Sequence, residues 1–258
     1  MSAAFSVRVV GVGDAFTSIY YNACLLLEGG GTRVLVDAPP ALARALRDHA
    51  RATADPVELG DIDHVIITHL HGDHVGGLEQ LLFYRRFVTG RKVALHAIPE
   101  VLAGLWDTRL RGGMEQLMEP LSSGSSSGGA PYAYRSLTLE DYADVRPLGP
   151  AGGQIGPFQV AWRRTIHHIP TSALRLSLDG RTLGYSADTA FDPDLVEWLA
   201  ESDLFFHETN LGVHTPLSSL AALPEDQRER MRLIHYPDFL EVGSSPIPCA
   251  REGDRYEL

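Results

Sequence analysis

The 258-residue chain carries 22 basic against 33 acidic residues, a formal net charge of -11, with 44% hydrophobic residues. That size and apolar fraction allow a sizeable core and predict one domain. The acidic balance, without any Lys/Arg-rich tract, argues against a large nucleic-acid footprint, which needs cations to neutralise phosphates.

No run of about 18 apolar residues occurs, and residues 1–10 hold no basic segment followed by an apolar one, so a soluble cytoplasmic protein with no membrane role is expected. Cys24 and Cys249 stand alone, without a Cys-x-x-Cys pattern, and read as ordinary thiols of a reducing compartment. Short apolar runs at 6–12, 23–27 and 33–36, with turn residues such as Gly29-Gly30-Gly31 between them, predict antiparallel strands of a first sheet. Gly11-Val12-Gly13 lacks the third glycine of a dinucleotide loop and no long helical pattern follows, which argues against that use. Pro39 and Pro40 open an amphipathic, Ala/Leu/Arg-rich helix reaching residue 54.

The run Val65-Ile66-Ile67 predicts a buried strand and residues 78–87 a helix. Between them stands Thr68-His69-Leu70-His71-Gly72-Asp73-His74-Val75-Gly76-Gly77. Imidazole nitrogen and carboxylate oxygen suit zinc and neighbouring first-row metals, and the end of a buried strand fixes such donors in place. Gly72 is expected to let the backbone turn sharply, and Gly76 and Gly77 to let the helix start close to the cluster.

Residues 92–97 predict another strand, on which His96 reads as a packed or surface histidine rather than a ligand. A helix is predicted over 99–118 with a break at Gly112-Gly113, then a flexible Gly/Ser-rich loop at 119–131, read as a linker in preference to a flap. Strand character resumes at 158–162 and leads into His167-His168-Ile169-Pro170. Residues 174–178, an Asp179-Gly180 turn and 182–185 make a hairpin signal ending at Asp188. A helix at 193–200 follows, then a buried strand at 204–206 ending in His207-Glu208-Thr209-Asn210, a helix at 218–231 and a strand at 232–234 ending in His235. Metal-competent residues thus close one apolar strand after another.

The His69-Leu70-His71-Gly72-Asp73-His74 pattern resembles the signature of the metallo-β-lactamase fold superfamily. The resemblance implies an α/β fold, a four-layer αββα sandwich of two mixed sheets flanked by helices, with a one- or two-metal hydrolytic site at the sheet edges. It also implies the remaining donors: His167 in His-His-Ile-Pro, Asp188 in Tyr-Ser-Ala-Asp-Thr and His235 in Leu-Ile-His-Tyr-Pro. His69, His71 and His167 would hold one ion, Asp73, His74 and His235 a second, with Asp188 between them. Successive strand side chains point to opposite faces, so only one of His167 and His168 should coordinate. His167 is preferred because Pro170 stands three residues after it, as in the related pattern. Two divalent ions, zinc with manganese or iron as alternatives, would share a hydroxide and provide a nucleophile at neutral pH. Asp73 then counts both as ligand and as catalytic residue.

His207-Glu208-Thr209-Asn210 followed by His214-Thr215 is similar to paired elements of the ribonuclease Z and cyclic-nucleotide phosphodiesterase branch of that superfamily. This implies His214 as a general acid at the scissile phosphate and Glu208 as its orienter, although the element here reads Glu-Thr-Asn where the branch has Glu-Ala-Thr. Only 20 residues lie between His167 and Asp188, where the ribonuclease inserts a long substrate-binding arm. A small phosphodiester such as a cyclic nucleotide is therefore expected in place of transfer RNA. Hydrolysis of a lactone, ester or thioester by the same metals is the alternative, and mononuclear iron oxidoreduction a further one. Substrate choice is expected in loops 14–21, 110–134 and 210–216, with Tyr20, Tyr21, Trp106 and Tyr236 as candidate walls of a base-sized pocket. Homodimerisation, common in such relatives, stays open.

Overall fold

The computed structural model describes residues 5–53, 55–120 and 132–258. Three strands open it, β1 (Ser6–Gly11), β2 (Cys24–Gly29) and β3 (Thr32–Val36). β4 (His64–Ile66) leads into the histidine motif, and β5 (Val93–Ala97) follows the motif helix. β6 (Gln116–Pro120) and β7 (Tyr132–Ser136) pair only with each other, and β8 (Ala143–Pro147) comes next. The second half supplies β9 (Gly153–Ile155), β10 (Phe158–Arg164), β11 (Ser172–Leu178), β12 (Arg181–Tyr185), β13 (Leu204–Glu208) and β14 (Met231–Ile234), before β15 (Arg255–Glu257) returns.

Among the described residues the main strands form a seven-stranded sheet, ordered β15-β1-β2-β3-β4-β5-β8, and a six-stranded sheet, ordered β14-β13-β12-β11-β10-β9. Both are mixed. β15, β1, β2 and β3 pair antiparallel, but β3, β4, β5 and β8 run parallel. In the second sheet β12, β13 and β14 are parallel and the other pairings antiparallel.

Side chains alternate across a strand, and that alternation sorts them into two cores. Val7, Val9, Leu25, Leu27, Val34 and Val36 join Leu174, Leu176, Leu183 and Phe206 between the sheets. Their neighbours Leu26, Leu35 and Val65 face outward, onto Leu42 and Leu46 of helix Leu42–Thr53 and Leu78, Leu81 and Leu82 of helix Leu78–Phe87. Each fully buried leucine contributes about 2 kcal/mol of apolar transfer. Helix Pro193–Ala200 covers the second sheet, with Leu199 over Gly184, where a Cβ would lie only 3.1 Å from the leucine. The result is the αββα sandwich.

Two expected helices differ. The 99–118 segment is helical as Pro99–Leu105, passes through a π-helical stretch Trp106–Leu110 and a turn Arg111–Met114, and then becomes β6. β6 pairs with β7, all of whose residues are exposed, so no alternation announced either strand. The 218–231 segment splits into Leu217–Ala221 and Glu225–Arg230, because Pro224 cannot donate into a continuing helix, and Met231 already begins β14. Of the expected Gly/Ser loop at 119–131, Glu119 and Pro120 belong to β6, and 121–131 lie outside the described residues. Both cysteines are free, and no helix among the described residues is long and apolar enough to cross a membrane.

Candidate metal centre

Parallel strands end on a common edge, where their loops collect polar side chains. Asp37 follows β3, His69 follows β4, Asp188 follows β12, Glu208 ends β13 and His235 follows β14. The loop between β10 and β11, which carries His167, is pinned to this edge. Thr165 Oγ1 donates to Asp188 O at 2.7 Å, Ala190 N to Ile166 O at 2.8 Å, and Ser172 N to Thr68 O at 3.2 Å. Tyr236 N donates to Val12 O at 3.1 Å and so draws the end of β14 onto the first sheet.

The backbone is strained where it delivers donors. Asp37 (φ 64°), Ala187 (φ 50°) and His235 (φ 52°) occupy the left-handed region, at a cost on the order of 1–3 kcal/mol each. Gly77 permits a close approach: a Cβ there would lie 2.1 Å from Pro39 O. Gly72 has a different use from the sharp turn expected of it. It opens the helical turn Gly72–Val75, nothing lies within 4 Å of a Cβ placed on it, and it lines a cavity.

Donor atoms of His69, His71, His167 and Asp188 gather within 4.8 Å of one another, as do those of Asp73, His74 and His235, and those of Asp188, His214 and His235. Asp188 stands between the groups. Its Oδ2 lies 3.6 Å from His69 Nε2 and 3.9 Å from His167 Nε2, while its Oδ1 lies 3.2 Å from His74 Nε2 and 3.6 Å from His235 Nε2. Asp73 Oδ2 is 3.1 Å from His235 Nε2 and 3.3 Å from His74 Nε2. His168 lies beside the first group, its Nε2 2.9 Å from His71 Nε2.

These residues fit divalent metal. His74 Nε2 and Asp188 Oδ1 are buried and 3.2 Å apart, yet neither has a hydrogen-bond partner. Two buried polar atoms left unpaired cost free energy unless something such as a cation satisfies both. Burial, helped by the neighbouring His74 charge, pushes His69 down to about 3; burial also pushes His167 down to about 4 and lowers His71. Neutral imidazole is the ligating form. In the second group burial again opposes charge on His235, but Asp188, Asp73 and Glu208 outweigh it and raise the ring to about 10. Burial of His74 is likewise outweighed by Asp188 and Asp37, and its pKa rises well above the ordinary value. Burial works against ionised Asp73 and Asp188 too, yet the His235 and His74 charges hold both well below the usual carboxylate range. Such a proton-holding anionic pocket exchanges its protons for metal cations.

Among known families, the model described as Anti-Pycsar protein Apyc1 matches residues 5–244. The chain belongs to that family. The Anti-Pycsar protein Apyc1 of Bacillus phage BSP38 is 32% identical over 250 residues, covering 91% of this chain and 90% of the relative. Among solved structures the metallo-β-lactamase fold protein YhfI from Bacillus subtilis superposes with a TM-score of 0.76 at 18% identity, over 99% of this chain and 100% of that one. The short form of human tRNase Z (ELAC1) gives 0.67 at 19% identity, over 98% of both chains. The fold of this Apyc1-family member is therefore that of the metallo-β-lactamase superfamily.

Glu208 and His214 meet at the same centre. Both carboxylate oxygens of buried Glu208 lie 2.9 Å from His214 Nδ1, and Glu208 Oε1 also accepts from Thr189 N. His207 is turned away, its Nδ1 2.7 Å from Glu208 O. His96 is buried against His64, ring nitrogens 3.1 Å apart, as a packed histidine.

The cavity beside the donors measures about 750 Å³ and includes His71, Asp73, Asp188, His214 and His235. None of the four aromatics suggested as its walls lines it. Tyr20 and Tyr236 pack edge to face at 5.5 Å, Tyr21 donates to Asp48 at 2.6 Å, and Trp106 sits 6.4 Å from Tyr142. Phe16, Leu211 and Phe239 take that place instead, and no described residue of 110–134 takes part.

Sequence reasoning also missed Asp37. Its carboxylate accepts from Thr68 N at 2.8 Å and from Thr68 Oγ1, and meets His74 Nδ1 at 2.8 Å, fixing the ring so that Nε2 faces the donors. Its position just after β3 is the same strand-end signal that marked Asp188. Asp37→Asn keeps the shape and removes the charge, and is expected to weaken metal affinity about tenfold or more. Competition with a chromophoric chelator measures this; wild-type affinity would show that His74 needs no such support.

Proposed function

We propose that this chain is a cytoplasmic, single-domain, dinuclear metal-dependent phosphodiesterase acting on a small phosphodiester, in particular a cyclic nucleotide. The observation that carries the reading is the straddling Asp188, whose two oxygens face two histidine groups, with the Glu208-held His214 turned into the same cavity. His69, His71 and His167 would hold one ion, Asp73, His74 and His235 the other, and Asp188 both. Two such ions, zinc in the first instance, supply Lewis acidity and a water acidic enough to ionise near neutral pH.

The protein's own groups do the rest. Asp73, whose Oδ2 faces Nε2 of His74 and of His235, would complete the second ion's ligands beside them. His214 gives its proton to the leaving oxygen from Nε2, because Glu208 occupies Nδ1 and fixes the tautomer. Glu208, through its hydrogen bond to His214, raises that ring's pKa above the ordinary histidine value and so favours its protonated form. A lactone or thioester hydrolase would have no need of this proton donor at the leaving group. The anti-Pycsar role for which its relatives are named extends to this chain under the same reading.

Metal-loaded protein is expected to contain two ions per chain and to hydrolyse bis(p-nitrophenyl) phosphate and 3′,5′-cyclic nucleotides. Chelation should remove both turnover and part of the thermal stability, since metal binds only the folded site. Turnover of acyl-homoserine lactones or glutathione thioesters without any phosphodiester turnover, or a single iron per chain, would overturn the proposal.

A further inference from the structure

The rim of the metal cavity exposes large apolar side chains. Phe16 is 91% exposed and Leu211 and Phe239 are 66% exposed each, yet all three line the cavity that holds Asp73, Asp188 and His214. Large apolar groups left in water at one place mark a binding surface.

The loops that carry them are fastened to one another by two carboxylates. Asp14, buried, accepts from Phe16 N at 2.9 Å through Oδ1 and from Asn210 Nδ2 at 2.8 Å through Oδ2, joining the Phe16 loop to the Leu211 loop. Asn22 Nδ2 donates to Asp14 O at 2.7 Å and anchors the junction. Asp238, next to Phe239, accepts from Thr17 Oγ1 and, through Oδ2, from Ser18 N and Ser18 Oγ at 2.8 Å each. Phe16 thus sits on a backbone tied down on both sides, and Phe239 beside one of the ties. Apolar side chains held out on fixed backbone bind at a reduced entropic cost.

We propose that Phe16 and Phe239 form a clamp for the planar base of a nucleotide whose phosphodiester lies at the donor groups, with Asp14 and Asp238 as positioning residues. The inference rests on the phosphodiesterase reading and names where its substrate is gripped. A volume of about 750 Å³ suits a mononucleotide-sized ligand. Aromatic faces accept any base, so the clamp grips purines and pyrimidines with little discrimination. Both rim carboxylates are engaged in loop contacts, which spends their acceptors on the protein.

The test is titration calorimetry with a slowly hydrolysed 3′,5′-cyclic nucleotide phosphorothioate on wild type, Phe16→Ala, Phe239→Ala, Phe16→Trp and Asp238→Ala, together with turnover of a cyclic nucleotide and of base-free methyl p-nitrophenyl phosphate. Each alanine variant at a phenylalanine should raise Kd about tenfold or more, and lower the preference for the nucleotide over the base-free diester by a similar factor. Phe16→Trp should restore both, and Asp238→Ala should raise KM for the nucleotide more than it lowers kcat. Active enzyme whose nucleotide Kd stays within about twofold in both alanine variants overturns the clamp alone, including the case in which those variants dissociate a dimer. Wild type that fails to bind the nucleotide overturns it as well. Wild type that binds with this Phe16 dependence but cleaves no phosphodiester supports the clamp and overturns the phosphodiesterase reading.

Discussion

Asp188→Asn should lower kcat/KM on phosphodiesters by at least about a thousandfold, the upper range for losing one preorganised charge-stabilising group, and reduce bound metal below two ions per chain. The two carboxylate oxygens face different partners, His69 and His167 on one side, His74 and His235 on the other. An asparagine fills the same volume but presents an NH₂ to one of those sides, and NH₂ cannot ligate a cation. One group therefore loses its shared ligand whichever way the amide turns. The removed charge is also what helps hold the buried His74 and His235 protonated before metal binds, so the variant's empty site is less anionic and its metal affinity falls further. Elemental analysis and steady-state kinetics read the two effects, and circular dichroism shows whether the fold survives. Full metal content with near-wild-type turnover would remove Asp188 from the centre.

Asp188 was legible in the sequence because two local patterns coincide there, an apolar strand signal and a metal-competent residue just past its end. The same holds for His69 and His235, and parallel pairing then brings those strand ends to one edge. Asp37 follows the rule too, but its partners Thr68 and His74 lie 31 and 37 residues away, and single-strand patterns say nothing about such pairs. The loop contacts of Asp238 reach across about 220 positions to Thr17 and Ser18, and are equally invisible in the chain. β6 and β7 escaped because a strand pair with an exposed β7 shows no alternation. The aromatics misled for a physical reason. Tyr20 and Tyr236 have apolar bodies that pack on each other, and Tyr236 donates its hydroxyl to Ala250 O at 2.7 Å, so both are spent in structure. An exposed phenylalanine such as Phe16 is a more telling sign of a ligand surface, and exposure is not written in sequence.

His214→Ala should lower kcat on a cyclic nucleotide by about a hundredfold to ten-thousandfold, the range for a positioned general acid, while metal content stays at the wild-type value. The loss should shrink on bis(p-nitrophenyl) phosphate, whose nitrophenolate leaves without a proton. Equal loss on both substrates would mean that His214 serves the fold or the metal ligands instead of the leaving group. Glu208→Gln separates the proton from its position. The glutamate, by its hydrogen bond, raises the His214 pKa, and a general acid works only while protonated, so kcat/KM falls as pH rises through that pKa. Removing the carboxylate charge lowers the pKa, and the alkaline limb of the pH profile must move to lower pH. Glu208 Oε2 also lies 3.7 Å from His235 Nδ1, so metal content has to be measured on the same sample. An unmoved or upward-moved limb in metal-replete Glu208→Gln would deny His214 the proton-donor role. A downward shift with substrate-dependent loss in His214→Ala would assign that proton to the leaving oxygen, the step that distinguishes phosphodiester cleavage from lactone opening at the same metal centre.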